Sequence, residues 1–101
     1  MIDFKTLQKE IIRNKKEKGF NINDIPLEFS FTHGELSEAF DAYIKKLPNI
    51  GEELADVLIY LLSIAETLNI NLEEEVLKKI EKNKKRVYKE VNGVKIKETE
   101  L

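Results

Sequence analysis

The chain carries four stretches in which apolar residues recur every three to four positions, the repeat that lines one face of an α-helix. The first sets Phe4, Leu7, Ile11 and Ile12 on one side, with Asp3 as its cap, Gly19 as its stop and a basic far end from Asn14 to Lys18. The second starts at Asn23 or Asp24, takes Pro26 into its first turn and ends shortly after Lys46, because Pro48 cannot continue it. Asn49 caps a third helix over about residues 51–68. Asn71 caps a fourth, which opens with Glu73, Glu74 and Glu75 and closes with Lys82, Lys84, Lys85 and Arg86, an order of charge that complements the helix dipole. Connections this short make consecutive helices antiparallel neighbours. The pattern then changes around Asn92-Gly93, the preferred centre of a type I′ hairpin, which sets Val91 against Val94, Lys89 against Ile96 and Glu90 against Lys95. The expected fold class is all-α: a four-helix domain over residues 1–86, followed over residues 87–101 by a short C-terminal β-hairpin or extended tail. An isolated hairpin is marginal, so the tail should dock on the helices or on a partner chain.

The apolar positions exceed what one small bundle can cover. The second helix presents a stripe of Phe29, Leu36, Phe40, Tyr43 and Leu47, and the third is apolar almost all round after Asp56. Monomers seldom leave such patches in water, so the bundle should be completed by association with itself, as a homodimer or tetramer. At 101 residues only one domain fits. With 17 basic against 19 acidic residues there is no general cationic field, and no nucleic-acid partner is expected. Cysteine is absent, which removes disulfides, thiolate metal sites and thiol nucleophiles and suits an intracellular setting. The first residues lack a signal-like apolar stretch, and the longest apolar run, Val57 to Leu62, is too short for a bilayer, so the expected location is cytoplasmic, without a membrane partner.

The chemistry lies in the carboxylates. Glu28, Glu35 and Glu38 share one sector of the second helix, about a quarter turn from its aromatic stripe. Glu53 and Asp56 are one turn apart on the third. A carboxylate such as Asp56 on a largely buried helix needs compensation, from a metal ion or from a salt bridge to a lysine or Arg86. Two adjacent helices that each offer an i, i+3 carboxylate pair form a natural divalent-cation site, and Glu35, Glu38, Glu53 and Asp56 are the candidate ligands. Oxygen donors without imidazole or thiolate favour Mg²⁺, or Mn²⁺, over Zn²⁺. His33, the only histidine, points away from Glu35. On the fourth helix Lys79, Asn83 and Arg86 share a face that can bind phosphate oxygens, although basic residues there also complement the dipole.

Taken together these motifs resemble the MazG-like family of all-α nucleoside triphosphate pyrophosphohydrolases, related to dCTP pyrophosphatases and dimeric dUTPases. The resemblance rests on Glu35-Leu-Ser-Glu38, a fourteen-residue gap, Glu53-Leu-Ala-Asp56, the following Val57-Leu-Ile-Tyr60 and the Lys79, Asn83, Arg86 row. It covers roughly residues 27–88. It implies a MazG-like four-helix bundle that splits a nucleotide between its α and β phosphates, to a monophosphate and pyrophosphate, with Mg²⁺ as cofactor. Under it Glu38 is the catalytic base, Tyr60 lines the sugar or phosphate pocket, Phe20 either packs within the fold or approaches the base with the basic end of the first helix, and short single-domain members are dimers or tetramers. One departure stands out. Where many relatives carry a further upstream Glu, this chain has Thr32. Either Glu38 completes the ligand set, or Glu28 partly replaces the missing residue, or the site holds fewer metals. The competing functions are a non-catalytic helical interaction module and a phosphoribosyl-ATP pyrophosphohydrolase.

Overall fold

The computed structural model describes residues 2–98; Met1 and, from the expected tail, residues 99–101 lie outside the described residues. Four helices precede one hairpin: α1 (Phe4–Glu17), α2 (Ile25–Ile44), α3 (Ile50–Thr67), α4 (Leu72–Lys85), then β1 (Tyr88–Val91) and β2 (Val94–Lys97).

The helix ends are decided locally. Asp3, Asp24 and Asn71 each accept a backbone N–H of the first turn, from Lys5, Leu27 and Glu74 at 3.0, 3.2 and 3.2 Å. At the other ends Gly19, Lys46 and Asn69 take left-handed conformations, with φ of 73°, 55° and 58°. The residue after each then donates back across the last turn, Phe20 to Lys15, Leu47 to Ala42 and Ile70 to Ala65, at 2.8–2.9 Å. The reversal at Lys46 stops α2 at Ile44, ahead of the proline. Asn49 stands at the N-cap of α3 but makes no side-chain cap; its amide donates to Glu53 Oε1 at 3.2 Å instead. The hairpin has the register read from the sequence, extended by Tyr88 opposite Lys97, with Asn92 and Gly93 both at positive φ as a type I′ turn requires.

Packing is uneven. The α2–α3 pair holds the main seam; the buried apolar residues are Ala39 and Ala42 of α2 and Leu62, Ile64 and Ala65 of α3, which packs on both α2 and α1. Small alanines let the two backbones approach, which sets the acidic sector of α2 beside the start of α3. The next partner of α1 is α3, not its chain neighbour α2, and α4 meets the other helices mainly at α1. Gln8 makes that junction. Fully buried, it donates to the Ile70 carbonyl at 2.8 Å and to Glu66 at 3.2 Å, and accepts from the Leu72 N–H at 3.1 Å. Beyond the junction α4 has no buried residue. The radius of gyration is 17.0 Å, against about 13 Å for a compact domain of this length. The accessible surface is 7906 Å², about 2,000 Å² more than a folded monomer of 11.8 kDa exposes. The aromatic stripe of α2 is among the uncovered surface, as are Leu54, Leu58 and Leu61 of α3 and Val76, Leu77 and Ile80 of α4.

Candidate metal centre

Glu35 and Glu38 lie one turn apart on α2, and Glu53 stands in the first turn of α3 across the seam. One carboxylate oxygen from each falls within 4.8 Å of the others. Glu53 Oε1 is held by Asn49, whereas Oε2 is shielded from solvent and has no hydrogen-bond partner among the described residues. Asp56, half-buried and one turn further on, lies outside this tightest group but within its electrostatic reach. Among the described residues it makes no salt bridge to a lysine or to Arg86; the ion pairs are Lys15–Glu28 and Lys84–Glu81.

Carboxylates crowded in this way resist ionisation. Burial, then the charges of Glu38 and Asp56, raise the Glu35 carboxyl, which also shares a hydrogen bond with Glu38. Glu53 is raised by burial, then by Glu38, Asp56 and Glu52. Three convergent hard oxygens, mutual repulsion and an orphaned buried oxygen fit a divalent cation, which would meet all three needs at once. The sign of the pH effect follows. The folded protein holds protons on Glu35 and Glu53 above the ordinary value of 4.5, so it binds more protons than the unfolded chain and metal-free stability falls as pH rises through that window. Melting curves in chelator should therefore show a lower transition at neutral pH than at about pH 5, and Mg²⁺ should restore it at neutral pH but have little effect at the acid end, where protons compete. A metal-free transition that does not change over this range would remove the crowding argument.

Glu28 takes no part in the cluster. It is 2% exposed, its Oε1 is paired with the Lys15 ammonium and its Oε2 accepts from Asn21 at 3.1 Å. Thr32, at the position of the missing upstream Glu, donates its hydroxyl to the Glu28 carbonyl at 2.8 Å, within its own helix. Tyr60 is half-buried between Phe31, edge-on at a centroid distance of 6.3 Å, and Lys15, whose Nζ lies 5.2 Å from the ring centre. Burial and the surrounding carboxylates, Glu35 first, raise its phenol, which stays neutral. The Lys79, Asn83, Arg86 row is not brought to the cluster within one chain. The charge of Arg86, then burial and the charges of Lys82 and Lys97, lower the Lys79 ammonium. His33 is exposed. The Lys15–Glu28–Ser63 network was not anticipated. Its signal was Lys15 standing four residues after Ile11, a charge on the apolar stripe of α1.

Comparison with protein families matches residues 30–101 to the MazG-like family, a span that includes the whole acidic cluster. The chain belongs to the MazG-like family. Comparisons with curated proteins and with solved structures return no significant match. Within this MazG-like chain, the acidic group of Glu35, Glu38 and Glu53 is one that could hold a metal. No helix among the described residues is long and apolar enough to cross a membrane.

Proposed function

We propose that this MazG-like chain is a Mg²⁺-dependent nucleotide pyrophosphohydrolase that cleaves a nucleoside triphosphate to the monophosphate and pyrophosphate. The observation that carries the reading is the orphaned Glu53 Oε2 inside a three-carboxylate cluster of a chain from this family. Glu35, Glu38 and Glu53, with Asp56 beside them, would hold the cation. When bound, it offsets charge on the phosphates and acidifies water. Glu38, the exposed member of the group, is hydrogen-bonded to Glu35 and can pass a proton to solvent, which suits it to take the proton of the attacking water. Tyr60, kept neutral, walls the site on the α1 side.

Metal-dependent release of pyrophosphate from a panel of nucleoside triphosphates, with phosphoribosyl-ATP alongside, tests this reading. Release from free nucleotides supports it. Turnover of phosphoribosyl-ATP alone would move the substrate, and no release from any compound would leave an interaction module.

We further propose that a second copy covers the exposed stripes of α2, α3 and α4. An excess of about 2,000 Å² per chain corresponds to the large interfaces of obligate homodimers rather than to transient contacts. Light scattering should give at least twice 11.8 kDa, and a monodisperse monomer would overturn the proposal. In that assembly Lys79 and Arg86 of a neighbouring copy supply cations, and Asn83 an amide donor, for the phosphates. Arg86→Ala should then raise KM about tenfold or more with little change in melting temperature, the size expected for one charge-assisted contact. An unchanged KM would return the row to its role at the helix end.

A further inference from the structure

Asp3, Asp24 and Asn71 turn a side-chain oxygen onto the first turn of α1, α2 and α4. Asn49, at the same place before α3, makes no such bond. Asparagine is among the strongest capping residues, and Glu52, three positions on, would complete a capping box with it. The side chain reaches one residue further instead. Its amide donates to Glu53 Oε1 at 3.2 Å, while the Asn49 carbonyl accepts the Glu53 N–H at 3.0 Å. Asn49 and Glu53 are thus tied through both backbone and side chain. Asn49 is itself placed by the turn before it, where the Leu47 N–H reaches the Ala42 carbonyl at 2.9 Å and Lys46 is left-handed. The end of α2 therefore fixes the amide that holds a carboxylate of α3.

The bond makes the two oxygens of Glu53 unequal. Oε1 is occupied by an N–H, and Oε2 is shielded from solvent without a partner among the described residues. The donor is neutral, so it orients the carboxylate without cancelling its charge, which a lysine at position 49 would do. Hydrogen bonds of this kind fix the direction of a ligating carboxylate and raise the affinity of the centre it serves.

We propose that Asn49 is a positioning residue that makes Glu53 a one-oxygen ligand and thereby favours Mg²⁺ over Ca²⁺ at the acidic centre. The inference rests on the metal reading above. Mg²⁺ demands near-octahedral geometry at short distances, whereas Ca²⁺ takes more oxygens, tolerates irregular arrangements and accepts both oxygens of one carboxylate. With Asn49 in place, Glu53 is held in one orientation with one oxygen free. Without it, the carboxylate can turn and offer both, which suits the larger ion and deprives the smaller one of a fixed partner.

Calorimetric titration of Mg²⁺ and of Ca²⁺ into the full chain and into Asn49→Ser, with no nucleotide present, tests this independently of hydrolysis. Serine caps helices as well as asparagine does, but its oxygen stands one bond short of the amide nitrogen it replaces. The metal-free melting temperature should be unchanged or higher. The Mg²⁺ dissociation constant should rise about tenfold or more while that for Ca²⁺ moves by about threefold or less, so the preference between the ions falls. Should Asn49→Ser not melt cooperatively, Asn49→Gly, which is also tolerated at a cap, is read in the same way. An unchanged Mg²⁺ affinity in the folded variant, or a loss equal for both ions, overturns the positioning role and leaves the metal centre standing. A parent chain that binds neither ion overturns the centre and the positioning role together.

Discussion

Glu53→Gln should abolish metal-dependent pyrophosphate release while leaving the metal-free protein as stable as before or slightly more so. The amide keeps the shape of the side chain and its contact with Asn49, but it removes one negative charge from a group where Glu38, Asp56 and Glu52 all repel it. It also exchanges an acceptor oxygen with no partner for a neutral group that cannot offset a cation. The expected loss in turnover is at least on the order of 10²–10³-fold, the size found when a single preorganised electrostatic group is removed from an active site. Asp56→Asn should act in the same direction, with helicity retained. Circular dichroism, melting curves with and without Mg²⁺, and pyrophosphate release on the same samples decide the matter. A structural role would show the reverse pattern, with a lower melting temperature and turnover intact.

Lys15→Met should be among the most destabilising single substitutions in the chain. It strands the carboxylate of Glu28, almost fully buried in the first turn of α2, with Asn21 as its remaining partner. Breaking a buried pair from one side costs about 3–5 kcal/mol, because an uncompensated charge stays behind. For a domain of this size that is a fall in melting temperature on the order of 15 °C or more. Adding Glu28→Gln should recover most of the loss, since two neutral groups of similar shape replace two charges and Asn21 can still donate to the side-chain oxygen at position 28. Thermal melts of the two single variants and the double variant give the coupling directly. If Lys15→Met alone melts within a few degrees of the parent, the pair is not the fastening between α1, α2 and α3 that its burial indicates.

Much of this molecule is legible from short-range pattern. Asp3, Asp24 and Asn71 cap helices because each side-chain oxygen reaches an N–H two or three residues ahead, and Asn92-Gly93 sets the hairpin because both residues tolerate positive φ. Where a longer-range partner competes, the reading changes. Asn49 has the right residue type and position for a cap, yet its amide goes to the Glu53 carboxylate. Glu28 belongs by periodicity to the same sector as Glu35 and Glu38, and was a candidate to replace the residue missing at Thr32. Lys15, thirteen positions earlier, takes it out of that role. The burial of Gln8 and Lys15 is equally hidden, since each merely interrupts an apolar stripe and nothing within a few residues says what it meets.

The sequence alone determined the helices, their ends, the hairpin register and the spacing of carboxylates within α2 and within α3, because these depend on hydrogen bonds and side-chain periodicity over about five residues. Only the tertiary structure decided which carboxylates converge. Alanines in the α2–α3 seam bring Glu53 to Glu35 and Glu38, and the packing of α1 on α3 pairs Lys15 with Ser63, 48 positions away, and opens a cleft beside Tyr60. It also decided that α4 stands clear of the acidic cluster. Which helix faces meet is set by the summed burial of whole surfaces rather than by any local motif, and the amphipathic faces of α2, α3 and α4 offer more apolar area than one chain can bury.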